Sequence, residues 1–311
     1  MRITVLGAGA MGSLFGGLLA ESGQEVTLID VNDAHLQAIR ASGLRLETDE
    51  GDRRIIRLAA CRPEAATEAP DLLIVFTKTL HTGSALQGVR HLIGDHTHVL
   101  SLQNGLGNVE KIGQFLPSAR ILVGVTTWPA DMVSAGHIHS HGEGAVRLWT
   151  ADGTNGPALA QCVEALTAAG LRCTSDPNVW AAIWEKVAFN AALNSICAVT
   201  RCTVDQIDLL PEGRDLALRI VGEVTAVARA TGVAADPDKP SSNVLHAIAH
   251  HRGHKPSMLQ DVLAGRTTEI EAINGAVVAA AAKAGVPATC TQVMATLVRL
   301  IDAHASAERQ R

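Results

Sequence analysis

Gly7-Ala8-Gly9-Ala10-Met11-Gly12 follows the β-branched run Ile3–Leu6 directly and opens an apolar helical pattern. A strand, a glycine-rich turn and a helix in that order form the context a dinucleotide-binding fingerprint requires. In such a loop Gly7 allows the tight turn, Gly9 a close approach of backbone to pyrophosphate, and Gly12 the packing of helix on strand. All six residues, Ala8, Ala10 and Met11 included, are candidate cofactor contacts, with phosphate charge resting on the helix N-terminus. A glycine-rich turn without a ligand is the alternative. Asp30 stands 18 residues beyond Gly12, at the end of the second predicted strand, Glu25–Asp30. An acidic side chain there accepts hydrogen bonds from the ribose hydroxyls. Ile29-Asp30-Val31-Asn32-Asp33 holds no Arg or Lys, so repulsion of a 2′-phosphate favours NADH over NADPH. Asp30 can instead bond the loop or cap the next helix, a task that suits Asp33 equally.

Beyond this unit, Leu72–Thr77, His98–Leu102 and Arg120–Thr126 are further strand-like runs separated by helical stretches. Strands alternating with helices imply βαβ units and a parallel sheet. Leu44–Leu46 with Arg54–Leu58, and His137–Trp149, read as an antiparallel extension. From about Asn178 the texture changes to Ala- and Leu-rich helices, including Ala181–Val199, Arg214–Thr231 and Glu269–Ala284, with Gly285 and Pro287 as a stop. The expected fold class is thus α/β, an N-terminal Rossmann-type doubly wound sheet with a C-terminal all-helical domain. The expected domains are residues 1–176 and 177–311. The small side chains of Ala276–Ala284 permit close helix contact, which suits a homodimer or an internal core element equally.

Composition narrows the function. At 311 residues, 47% hydrophobic and 18% charged, the chain can bury two real cores, which excludes general disorder. With 26 Lys and Arg against 31 Asp and Glu, it offers no field to attract nucleic acid or anionic lipid. Tyr is absent, so a catalytic phenol is excluded. Six cysteines without a C-x-x-C pair read as reduced thiols in the cytoplasm. No run of 18 apolar residues suggests a membrane span.

Several polar residues stand out against apolar surroundings. Lys78 closes the run Leu72–Thr77, and Gln103-Asn104-Gly105-Leu106-Gly107 follows Val99–Leu102. Both fall at C-terminal strand edges, where open α/β sheets bind ligands. Lys186, Asn190 and Asn194 recur every fourth residue and form one narrow polar stripe on a helix. That stripe is either a ligand-binding wall or a buried network joining helices. Ser257 and Gln260 fit a capping box, and Glu269 fits a surface ion pair. His137, His139 and His141 alternate as on one strand face, and His246, His250 and His254 repeat as on one helix face. Neither trio carries a Cys, an H-E-x-x-H pattern or a clear supporting carboxylate, so polar surface is expected and no metal.

Taken together, GAGAMGS, HLQAIRASGLRLET, FTKT, SLQNGLGN, GVTT followed by GHIHSHGEG, WEKVAFNAALNSI and PSMLQDVLAGRTTEIEAINGAV resemble the ketopantoate reductase (2-dehydropantoate 2-reductase) family over nearly the whole chain. The resemblance implies a Rossmann domain followed by a helical domain, with NADPH and a 2-oxo acid meeting in the cleft between them. It implies that Lys186 is the general acid and that Glu269 lies near substrate and nicotinamide ribose. It also implies substrate contacts at Asn104, Asn190, Asn194 and Ser257, and cofactor contacts at Lys78, Asn104 and Ala130. The chain departs from the family at Asp30-Val31-Asn32, where many members carry a basic residue that reads NADPH, and at Trp128-Pro129-Ala130. The expected activity is reduction of 2-dehydropantoate to (R)-pantoate with NADPH or NADH. Another branched or bulky 2-oxo acid, or a non-catalytic dinucleotide sensor, are the alternatives.

Overall fold

The computed structural model describes residues 1–309. They form two compact units, one of Met1–Gln103 with Asn108–Val179, the other of Asn104–Gly107 with the chain from Trp180 onward. The first unit begins β1 (Arg2–Leu6), α1 (Ala10–Glu21), β2 (Glu25–Ile29), α2 (Asp33–Ser42), β3 (Leu44–Thr48), β4 (Gly51–Ile55) and β5 (Ala59–Cys61). It continues through β6 (Leu72–Val75), α3 (Thr82–Gly88), β7 (His98–Ser101), α4 (Asn108–Ile112) and β8 (Ile121–Thr126). β9 (Asp131–Ser134), β10 (His137–Ser140), β11 (Val146–Thr150), α5 (Pro157–Ala168) and β12 (Cys173–Ser175) complete it.

The main sheet has the order β12-β11-β8-β7-β6-β1-β2-β5. The six strands from β8 to β5 are parallel to one another. The chain winds outward from β1 to β5, returns beside β1 as β6, then winds the other way. This is the doubly wound α/β arrangement, and its switch point, between β1 and β6, is where such sheets bind ligands. The continuous apolar run of β6 is buried at every position, as a strand covered on both faces must be.

A second sheet, β4-β3-β10-β9, packs its apolar face inward, with Leu44, Leu46 and Ile138 fully buried. The stretch His137–Trp149 therefore does not act as one extension. Its first part, β10, pairs parallel with β3. Its second, β11, joins the main sheet antiparallel to β8. The break falls at Gly142, whose φ of +85° turns the chain away.

The second unit holds α6 (Val179–Thr200), α7 (Pro211–Ala230), α8 (Lys239–His250), α9 (Ser257–Leu263), α10 (Ala276–Ala284) and α11 (Thr289–Arg309). α6 is apolar on nearly every side, which is why it forms the buried centre of this unit. α10 ends at Gly285 in the left-handed conformation, φ +66°, the helix stop expected from sequence. Two local expectations fail. The helix predicted from Glu269 starts instead with a π-turn, Glu271–Gly275, that leads into α10. Ser257 is the first helical residue and not a cap, because Pro256 occupies the cap position and Gln260 turns to the Lys255 carbonyl. No described helix is long and apolar enough to cross a membrane, and the six cysteines are unpaired.

Candidate active site

In the first unit, the loop after β1 lies at the sheet's switch point. Gly7 has φ +99°, and a Cβ there would lie 2.6 Å from the Thr77 backbone nitrogen. Only glycine fits that turn. A Cβ on Gly12 would sit 1.9 Å from the Gly7 carbonyl oxygen, whereas one on Gly9 would meet no protein atom within 4 Å. The loop is thus closed towards the protein at Gly7 and Gly12 and open at Gly9, where α1 begins at Ala10 with its unpaired backbone N–H groups. An open backbone surface at a helix N-terminus suits a pyrophosphate. Asp30 accepts hydrogen bonds from the Ala8 backbone at 2.7 Å and from the Val31 and Asn32 backbones at 2.7 and 2.9 Å. The helix cap is made by Asn32, which accepts from His35 N–H at 3.2 Å, so neither Asp30 nor Asp33 performs that task. These residues fit a dinucleotide, and they would hold its phosphates and adenosine ribose.

Three supporting residues, His35, Ser13 and Arg62, were not evident from sequence spacing, and Gln103 gains a defined task. Gly136 N–H donates to His35 Nδ1 at 3.0 Å, which puts the imidazole proton on Nε2, 3.0 Å from Ser13 Oγ. Ser13 Oγ in turn donates to the Ala8 carbonyl at 2.8 Å. This buried chain ties the second sheet to the glycine loop. Burial holds His35 below its ordinary pKa, opposed by the charge of Asp30. Gln103 donates to the Thr77 carbonyl and Thr82 Oγ1 at 2.6 and 2.7 Å, fixing the segment that carries Lys78. Arg62, beyond β5, donates to the Val31 carbonyl at 3.1 Å and to Asp33 at 3.0 Å. A cation therefore stands beside the 29–33 segment, which shows none in its own sequence. Lys78 is half-buried just past β6, and Ala130 is half-buried just before β9. Trp128 donates its indole N–H to the Leu171 carbonyl at 2.9 Å and covers Gly144, so it holds loops together.

In the second unit, Lys186, Asn190 and Asn194 share one face of α6, as expected from their spacing. Asn190 and Asn194 are only 8% and 4% exposed. Among the described residues, neither side chain hydrogen-bonds another protein group, so both amides keep donors and acceptors to offer. Burial around the Lys186 ammonium pulls it down to about 8, while the Glu269 carboxylate pulls it up. Glu269 follows the buried Thr268, whose hydroxyl donates to Asp302 at 2.8 Å. Asn104 belongs to this unit through its neighbours. Leu106 N–H donates to the Ala272 carbonyl at 2.8 Å, and Gly105, φ +82°, packs against the same carbonyl. A carbonyl released by the π-turn thus docks the Asn104 loop. Ser257 is exposed at the start of α9, without a hydrogen bond to α6 among the described residues.

Two family profiles match the chain: Ketopantoate reductase PanE/ApbA over residues 3–153, and Ketopantoate reductase PanE/ApbA C terminal over residues 178–302. The 2-dehydropantoate 2-reductase of Streptococcus pyogenes serotype M1 is 34% identical over 304 residues, 97% of this chain and 98% of the relative. The chain belongs to the ketopantoate reductase family. The 2-dehydropantoate 2-reductase of Halobacterium salinarum is 31% identical over 96% of this chain and 98% of its own. Among solved structures, a PanE/ApbA family ketopantoate reductase from Ralstonia eutropha JMP134 superposes with TM-score 0.91 at 30% identity. It covers 98% of this chain and 100% of the other. A ternary structure of D-mandelate dehydrogenase with NADH and anilino(oxo)acetate superposes with TM-score 0.92 at 29% identity, with the same coverage. Near structural relatives of this chain thus carry two different enzyme names, ketopantoate reductase and D-mandelate dehydrogenase.

Proposed function

We propose that this ketopantoate reductase family member is an NAD(P)H-dependent oxidoreductase that reduces 2-dehydropantoate to (R)-pantoate. The observation that carries this reading is one face of α6, where a lysine lowered to about 8 stands in line with two nearly buried amides lacking protein partners. The nicotinamide supplies the hydride, and the protein aims the reaction. As the ketone becomes an alkoxide, its oxygen gains negative charge, and Lys186 both stabilises that charge and delivers a proton to it. Glu269 keeps Lys186 charged until transfer. Asn190 and Asn194 orient the substrate, which is worth several kcal/mol of barrier, with Asn104 and the Ser257 hydroxyl as further polar contacts. Gly7 to Gly12, Asp30, Lys78 and Ala130 hold the cofactor.

Asp30 supports NADH as the preferred cofactor, since a carboxylate at the end of β2 would repel a 2′-phosphate on the adenosine ribose. Arg62 narrows that preference without reversing it, because its guanidinium is already shared by Asp33 and Glu64. The compartment in this reading is the cytoplasm, in keeping with the free thiols. A homodimer belongs to it too, and the exposed Val293, Leu297 and Leu300 on α11 support that more than α10, which packs on α7.

Purified protein mixed with 2-dehydropantoate and NADH or NADPH tests the proposal by loss of reduced-nicotinamide absorbance. No turnover with either cofactor removes the assignment. The NADH-bound D-mandelate dehydrogenase relatives, together with Asp30, favour a second reading in which a bulkier 2-oxo acid is the substrate. Ranking 2-oxo acids by kcat/KM separates the two. A non-catalytic sensor would bind NADH and turn over none of them.

A further inference from the structure

The second sheet gathers its histidines and carboxylates on the face opposite its core. Leu44, Leu46 and Ile138 point inward and are fully buried, so the alternate residues of β3 and β10 point outward. Glu47 on β3 and His139 on β10 are direct register partners. His141 follows two residues later, and one potential ligand atom from each of Glu47, His139 and His141 lies within 4.8 Å of the others. One histidine on a strand and one just past its end, facing a carboxylate on the next strand, present three donors to one point. The carboxylates that meet these histidines come from β3 and its turn, about 90 residues away in the chain.

Supporting groups are present as well. His141 Nδ1 is held by Asp49 Oδ1 at 2.5 Å, and the same carboxylate accepts from Gly142 N–H at 2.6 Å. This leaves His141 Nε2 as the available nitrogen. Glu47 Oε2 is held at 3.0 Å by His137 Nε2, which leaves Oε1. His139 makes no hydrogen bond among the described residues, and its ring packs edge-on against His141 with centroids 3.8 Å apart. A carboxylate oriented on the far nitrogen of a ligating imidazole is the usual outer support of a metal site.

We propose that Glu47, His139 and His141 form a binding site for a divalent transition-metal ion of the zinc class, with water completing the coordination. Two imidazole nitrogens and one carboxylate oxygen match zinc's ligand preferences and are too few and too nitrogen-rich for calcium or magnesium. The ion would join β3 to β10 on the unit's surface, so its role is to pin the small sheet and not to take part in hydride transfer. The other histidine group has His246 stacked on His250 and His251 edge-on to His246 and His254, brings no carboxylate into a ligand cluster among the described residues, and serves as the internal comparison.

The test is calorimetric titration of the chelator-treated full-length protein with zinc chloride, with cobalt absorption as a second readout of coordination. One ion per chain at micromolar affinity is expected, with a rise in Tm on saturation. His139→Ala and Glu47→Gln should each weaken binding at least about tenfold, and Asp49→Asn about tenfold through His141. A His246→Ala/His250→Ala double variant should bind as the parent does. The proposal is overturned if zinc binds only at millimolar concentration, if binding survives both His139→Ala and Glu47→Gln, or if the double variant abolishes it. All the altered residues are at the surface, and unchanged metal-free Tm values verify that each variant folds.

Discussion

Asn274 donates its side-chain amide to the carbonyl of Ala191, 83 residues earlier, at 3.0 Å, and is itself fully buried. Ala191 lies between Asn190 and Asn194 on α6, and Asn274 lies in the π-turn that also holds the Asn104 loop through Ala272. One short irregular turn thus sets α6, the Asn104 loop and, just upstream, Glu269 relative to one another. Asn274→Ala should lower unfolding free energy by about 1–3 kcal/mol. If the turn positions the site, kcat should also fall while the KM for cofactor is unchanged. Urea unfolding and steady-state kinetics on the same preparation check both; a variant with full kcat would leave Asn274 with a folding role alone.

Lys186 should trade stability for activity. Its folded value of about 8 lies below the ordinary 10.5, so the charged form is the costly one in the fold. Below pH 8 the folded state carries that cost in full, and stability should rise with pH between about 8 and 10.5 as the folded protein sheds the proton first. Lys186→Met should stabilise the protein at neutral pH by up to about 3 kcal/mol, less whatever Glu269 loses with its partner. Lys186→Ala should reduce kcat at least about a hundredfold with cofactor affinity nearly intact. Denaturant midpoints and fluorescence titration of NADH measure these outcomes.

The same group sets the pH profile. With Lys186 as the proposed proton donor, kcat for the 2-oxo acid should decline as pH rises through about 8, whereas alcohol oxidation should increase over that range. Glu269 raises the lysine's proton affinity, and Glu269→Gln should move the decline to lower pH. A profile that stays flat through this window would show that another group supplies the proton.

The proposed preference for NADH rests on Asp30. Its three backbone hydrogen bonds fix the carboxylate at the end of β2. The parent should show a higher kcat/KM with NADH than with NADPH. Asp30→Arg should reverse that ratio, and Asp30→Asn, which keeps an acceptor but removes the charge, should bring it towards unity. A strong NADPH preference in the parent would defeat the charge argument and point to Arg62.

His35 links the second sheet to the glycine loop through Ser13. His35→Phe fills the volume but cannot accept from Gly136 or donate to Ser13, leaving buried polar groups unpaired at about 1–3 kcal/mol each. It should raise the KM for NADH with little change in kcat at saturating cofactor. His35→Gln, able to accept and donate, should recover part of the affinity.

The alternation of strands and helices, the glycine loop and the α6 stripe were legible in the chain itself because each rests on short-range periodicity. A parallel sheet announces itself through uninterrupted apolar runs such as Leu72–Val75, a phosphate loop through glycine spacing, and a helix face through intervals of four. Sequence alone therefore determined the α/β class, the strand-turn-helix that suits a dinucleotide, and the alignment of Lys186, Asn190 and Asn194. Tertiary structure decided what those residues meet. Arg62 reaches the 29–33 segment from 29 residues beyond Asp33, Asn274 reaches α6 from 83 residues beyond Ala191, and Asp49 reaches His141 across 92 residues. Whether Asn190 and Asn194 belong to a hydrogen-bonded network, and how far Lys186 is lowered by burial, depend on desolvation by distant segments. No local pattern encodes that quantity, because it exists only once those segments have packed.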